Sequence, residues 1–163
     1  MSVTNDYLTW QRDDLVLNCA HFVVSPTLIE PLHGHTYSIR IKVEGKRTES
    51  SMIVDFLELK SIVKRIIEKF NFTVFIPQSN PLLSVEFTEG FVKVIVLPTK
   101  SEYVFPRYTV SLLPKENSTV ECISEYLTEL ITEELRPNYP NLTKIQVSAG
   151  EYSKSVATAV DFL

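Results

Sequence analysis

Two early stretches of the chain carry the hydrophobic pattern of β-structure. Residues 13–24 are largely apolar and β-prone, and over residues 37–43 Tyr, Ile, Ile and Val alternate with Ser, Arg and Lys, so both predict strands. The pair Glu44-Gly45 ends the second strand. The period then lengthens: Leu59, Ile62, Val63, Ile66, Ile67 and Phe70 recur at three- and four-residue steps behind Asp55 and Glu58, which resemble a capping box. That pattern predicts an amphipathic helix of about 15 residues.

Beyond Pro77 and Pro81 the alternation returns in residues 83–87 and 91–97, with Thr88-Glu89-Gly90 between them, which predicts a β-hairpin. Ser118-Thr-Val-Glu121 opens a second capped helix with Ile123, Tyr126, Leu127, Leu130 and Ile131 on one face, and Arg136-Pro137 stops it. Residues 144–148 and 156–162 are again β-prone. The order ββα, hairpin, αββ predicts an α+β fold, a mainly antiparallel sheet with helices on one face. Residues 1–163 are expected to form one domain.

Composition acts mainly by exclusion. The net charge is −4 and acidic and basic residues are interspersed, so neither nucleic acid nor a membrane surface is an expected partner, while a small phosphorylated ligand stays open. The opening Met1-Ser-Val-Thr-Asn-Asp lacks the charged start and apolar stretch of a signal peptide. The longest apolar runs fall short of the ~20 residues of a membrane span. Two cysteines, Cys19 and Cys122, are too few for a disulfide framework and fit a reducing compartment. A cytoplasmic protein is the expectation, in which the sequons at Asn71, Asn117 and Asn141 carry no glycan.

The three histidines of the chain, His21, His33 and His35, are its candidate chemistry. Residues i and i+2 of a strand point to the same side, so His33 and His35 can present two imidazoles to one point and the preceding strand can bring His21 beside them. Three neutral imidazoles with a fourth position open is the arrangement of a catalytic zinc site. Three unrelated surface or core histidines would leave the same composition.

With their neighbours included, Cys19-Ala-His21-Phe and Pro31-Leu-His33-Gly-His35-Thr-Tyr37 resemble the two zinc-binding segments of the 6-pyruvoyl- and 6-carboxy-tetrahydropterin synthase family. The resemblance continues through Met52-Ile-Val-Asp55-Phe-Leu-Glu-Leu-Lys60 and Lys115-Glu-Asn-Ser-Thr119-Val-Glu121, and the stretch from Tyr103-Val-Phe-Pro-Arg107 to Leu112-Leu-Pro114 looks like a bacterial and archaeal subgroup. It implies a T-fold whose subunits join sheets into a barrel and assemble as a hexamer of two trimers. It also implies zinc on His21, His33 and His35, and 7,8-dihydroneopterin triphosphate or a related pterin as substrate. Glu151, in Ala149-Gly-Glu151-Tyr-Ser-Lys-Ser-Val-Ala157-Thr, stands where the family's pterin-anchoring glutamate is expected, with Thr119 assisting. Taken alone, Glu151 is a solvated carboxylate before a strand.

Two departures from the family pattern matter. No cysteine lies between His21 and His33, and Glu30 is the candidate general base in its place, resembling a subgroup that cleaves the pterin side chain to give 6-hydroxymethyl-dihydropterin. Without the resemblance, Glu30 is an exposed glutamate before a proline, and Cys19 a small packing residue on the zinc-facing side. After the first helix, where the family has Leu-Asp-His, this chain reads Phe70-Asn71-Phe72, and neither Asn71 nor Phe72 exchanges protons near neutral pH. Phe72 is instead suited to stacking on a bound ring. The alternative to a lyase is therefore a zinc- and pterin-binding homologue without turnover, in a regulatory or partner role.

Overall fold

The computed structural model describes residues 6–151 and 155–163, with side chains described except at residues 12–14. Met1–Asn5, part of the segment inspected for a leader, and residues 152–154 of the Glu151 motif lie outside the described residues. The elements in chain order are β1 (Asp6–His21), β2 (His33–Gly45), α1 (Phe56–Phe70), β3 (Thr73–Pro77), β4 (Leu83–Thr88), β5 (Phe91–Val96), β6 (Ser101–Pro106), β7 (Val110–Leu113), α2 (Val120–Leu135), β8 (Leu142–Glu151) and β9 (Ser155–Phe162). Six strands form one sheet in the order β7-β3-β1-β2-β8-β9, and β4-β5-β6 form a smaller one. Pairing is antiparallel from β1 through β2 and β8 to β9, while β3 runs parallel to both β1 and β7.

β1 begins at Asp6, earlier than the apolar stretch from residue 13 predicts, and its register with β2 shifts between Gln11 and Val16. An irregularity of this kind changes which face successive residues take, so the two halves of the strand alternate out of phase and only the second half was read. The strand stops at His21 rather than Val24, because the Ser25 hydroxyl accepts the Leu28 N–H at 3.0 Å and Val24 pairs back on Ile29. β4 and β5 confirm the hairpin, with Gly90 at φ 82 supplying the left-handed turn residue.

Asp55 caps α1 as predicted, accepting N–H bonds from Leu57 at 2.8 Å and Glu58 at 3.3 Å, a contribution of about 1 kcal/mol. The cap of α2 is Thr119, not Ser118: the Thr119 hydroxyl accepts the Cys122 N–H at 3.4 Å, while the Ser118 hydroxyl donates to the Phe22 carbonyl at 2.7 Å. Both helices lie on the same face of the large sheet. Leu59, Val63 and Ile66 of α1 and Ile123, Leu127 and Ile131 of α2 bury against Leu17, Ile39, Ile41 and Val147. Each such side chain contributes about 1.5–3 kcal/mol. The small sheet packs Val92, Val94 and Val96 over Phe22, Val24 and Ile76, beside the chemistry described below.

Asparagines tie these parts together. Asn117 and Asn80 both donate to the Val24 carbonyl at 2.9 Å, and Asn141 donates to the carbonyls of Lys46 and Ile53 at 2.7 Å. Among the described residues no helix is long and apolar enough to cross a membrane.

Candidate metal centre

The β1–β2 ladder pairs His21 with His33 and Cys19 with His35, so all four side chains leave the same face at the same end of the sheet. The ligating nitrogens of His21, His33 and His35 lie within 4.8 Å of one another. Around a tetrahedral zinc with bonds of about 2.1 Å the nitrogens are about 3.4 Å apart, so small ring rotations bring this set into range. His21 is buried at 4% exposure, and His33 and His35 are half-buried.

Backbone carbonyls aim two of the rings. His21 Nδ1 lies 2.5 Å from the Ser118 carbonyl and His33 Nδ1 lies 2.8 Å from the Pro31 carbonyl. A carbonyl only accepts, so each Nδ1 carries the proton and each Nε2 is left with its lone pair, the tautomer a metal needs. Burial pushes the His21 pKa below its ordinary value, outweighing the Ser118 hydrogen bond, and this favours the neutral ring. The donor set thus fits a divalent metal with imidazole ligands.

The other candidates sit around this triad at different depths. Glu30 is half-buried in the loop between β1 and β2, its N–H bonded to the Val23 carbonyl at 2.9 Å, and its charge is felt at His21. The Asn117, Asn80 and Ser118 bonds to the Phe22–Val24 backbone hold that loop against the start of α2. Glu151 ends β8 opposite Tyr37 of β2, with Oε1 at 3.5 Å from His35 Nε2. Thr119 caps α2 next to the Ser118 carbonyl that orients His21, and its O–H remains able to donate. Cys19 is buried, and burial pushes its thiol up to about 12, which suits a packing residue rather than a nucleophile.

Asn71 and Phe72 lie elsewhere. Alternation puts Asn18, Ala20, Gly34 and Thr36 on the reverse face of the ladder from the triad. The Asn71 side chain bonds to Asn18 there, and Phe72, at 78% exposure, lines a cavity of ≈ 470 Å³ whose walls include these four residues and also Cys19 and His35.

Three participants were not singled out from the sequence. The Ser118 carbonyl is a backbone group with no residue-type signal. Tyr37 continues the same-face series His33, His35, and its hydroxyl lies 3.2 Å from His21 Nε2, so the i+2 rule that paired the histidines also points to it. Glu121, in the first turn of α2, is near enough for its charge to act on Tyr37.

Known proteins resemble this chain in sequence and in fold. A family model described as 6-pyruvoyl tetrahydropterin synthase matches residues 13–161. A Pyrococcus abyssi protein provisionally named 6-carboxy-5,6,7,8-tetrahydropterin synthase is 31% identical over 126 residues, 77% of this chain and 72% of that protein. The solved 6-pyruvoyltetrahydropterin synthase of Plasmodium vivax superposes with a TM-score of 0.91 at 23% identity, over 98% of this chain and 99% of that one. A variant of that enzyme with a catalytic glutamate replaced by alanine gives 0.92 at the same 23% identity and coverage of 98% and 99%. The sheet with both helices on one face is the T-fold.

Proposed function

This chain belongs to the 6-pyruvoyl tetrahydropterin synthase family, and from that premise we propose that it is a zinc-dependent lyase acting on 7,8-dihydroneopterin triphosphate or a related pterin. The observation that carries the proposal is the convergence of His21, His33 and His35 with two ring tautomers fixed by backbone carbonyls. These three side chains would hold the zinc, which when bound supplies a Lewis acid that polarises the oxygens of the pterin side chain.

The protein's own groups do the rest. Glu30, fixed on a braced loop and near enough to influence His21, takes the side-chain proton as general base. Support for glutamate in this role comes from the Plasmodium vivax enzyme, in which a glutamate is the catalytic residue exchanged for alanine. With Glu30 as base, the expected product is 6-hydroxymethyl-dihydropterin. Glu151 accepts hydrogen bonds from the pterin, and the Thr119 hydroxyl donates one. The Phe22–Val24 loop and the small sheet over it limit water at the buried His21 side of the site.

In this proposal the chain works in the cytoplasm as a hexamer of two trimers. The exposed Val156, Val160 and Phe162 on β9, at one edge of the large sheet, are consistent with subunits joining there.

Asn71 and Phe72 favour a second reading, a homologue that holds zinc and pterin without turnover. The deciding experiment is anaerobic incubation of metal-quantified protein with 7,8-dihydroneopterin triphosphate, followed by chromatography. A 6-substituted pterin formed well beyond one per zinc supports the lyase and identifies its product. Binding with no product supports the second reading.

A further inference from the structure

Tyr37 is fully buried, and its hydroxyl stands 3.2 Å from His21 Nε2. The direction of this contact is set at the far side of the imidazole. Nδ1 donates to the Ser118 carbonyl, so Nε2 is an acceptor and the phenol donates to it. The phenol therefore uses the same lone pair that a metal would take from His21. A second acceptor stands beside it. Glu151 faces Tyr37 as its cross-strand partner on the β2–β8 ladder, close enough for its charge to act on the phenol, with Oε1 3.5 Å from His35 Nε2.

We propose that Tyr37 is a positioning residue that transfers its hydrogen bond from His21 Nε2 to the Glu151 carboxylate when metal fills the triad, so that metal occupancy sets the orientation of Glu151 and with it the affinity for pterin. One lone pair cannot serve a metal and a phenol together. A buried hydroxyl does not remain without a partner, and the acceptor left beside it is Glu151. The carboxylate then has one oxygen fixed by the phenol, which leaves the other aimed for a ligand's N–H groups. Glu121, whose charge also reaches Tyr37, is exposed in the first turn of α2. The inference rests on the zinc and pterin binding proposed above, but it concerns their coupling rather than turnover.

Tyr37→Phe keeps the buried ring and removes only the O–H. Calorimetry with 7,8-dihydroneopterin on metal-free and zinc-loaded protein compares wild type, Tyr37→Phe, Glu151→Gln and the double variant, with zinc per chain measured in each. In the wild type, zinc tightens pterin binding. Tyr37→Phe loses about tenfold of that tightening, with zinc stoichiometry and metal-free pterin affinity unchanged, and this loss shrinks in the Glu151→Gln background. Should Tyr37→Phe fail to fold, Glu151→Gln alone must show a reduced effect of zinc on pterin binding. Equal weakening with and without zinc, or a Tyr37→Phe effect undiminished by Glu151→Gln, would overturn the coupling and leave the lyase proposal standing. A wild-type chain that takes up neither zinc nor pterin overturns both.

Discussion

The side-chain oxygen of Asn71 accepts the backbone N–H of Asn18 at 2.8 Å and its side-chain amide at 3.1 Å. Asn18 in turn accepts the Thr36 hydroxyl at 2.7 Å, and its carbonyl takes the Phe72 N–H at 2.6 Å. The position at which the family pattern carries an aspartate is here a clamp joining the end of α1 to β1 and β2. Asn71→Ala leaves a half-buried N–H without its partner and should cost about 1–3 kcal/mol, read as a lower urea midpoint with unchanged slope. An unaltered midpoint would mean that water replaces the amide there at no cost.

Phe72 adopts φ 60, a left-handed conformation that a bulky side chain avoids. Its ring is largely exposed, so little burial is lost with it. Phe72→Gly should raise stability by about 1 kcal/mol, seen as a higher melting temperature. A fall in melting temperature would show that the ring is covered in the assembled protein.

Glu30→Gln removes the proposed base and leaves the three imidazoles in place. Turnover should drop about 10²–10⁴-fold with one zinc per chain retained, measured by single-turnover kinetics alongside metal analysis. Undiminished turnover would take Glu30 out of the chemistry.

His33→Ala should abolish stoichiometric zinc and, with it, thermal stabilisation by added zinc. A ligand at 100 times its Kd contributes about 2.7 kcal/mol to a native state that alone binds it. A variant that keeps normal zinc affinity would show that the ligands are other groups.

The His21 shift fixes a pH dependence for the metal-free protein. Burial lowers its pKa in the folded chain below the ordinary 6.5. The unfolded chain therefore binds the extra proton first, so the stability is present above about pH 6.5 and declines as pH falls toward the folded value. Urea midpoints at about pH 7.5 and about pH 5.5 should differ in that direction, and by less in His21→Gln. Equal slopes for the two proteins would assign the acid sensitivity to other groups.

How far the sequence disclosed this structure differs from part to part. α1 was legible because its apolar positions repeat over four turns between a capping aspartate and Asn71. β3 and β7 were not, since they span only Thr73–Pro77 and Val110–Leu113, pair in parallel, and lack a usable alternation. The cap of α2 was displaced by one residue because Ser118 and Thr119 both suit an N-cap, and only the tertiary partner of Ser118, the Phe22 carbonyl, decides between them. At the site, His33 and His35 were tied together by strand periodicity alone. Which face Phe72 occupies depends on how the end of α1 meets Asn18, a contact with no local signature.

The bond between His21 and the Ser118 carbonyl joins residues 97 positions apart. Contacts of that span close late in folding, after the loop entropy between their ends has been overcome by other parts of the structure. The three imidazoles come together on the neighbouring strands β1 and β2, but the carbonyl that fixes the His21 tautomer is in place only once α2 has docked. Zinc bound as proposed above would therefore slow the opening of the native protein and leave the rate at which it folds nearly untouched.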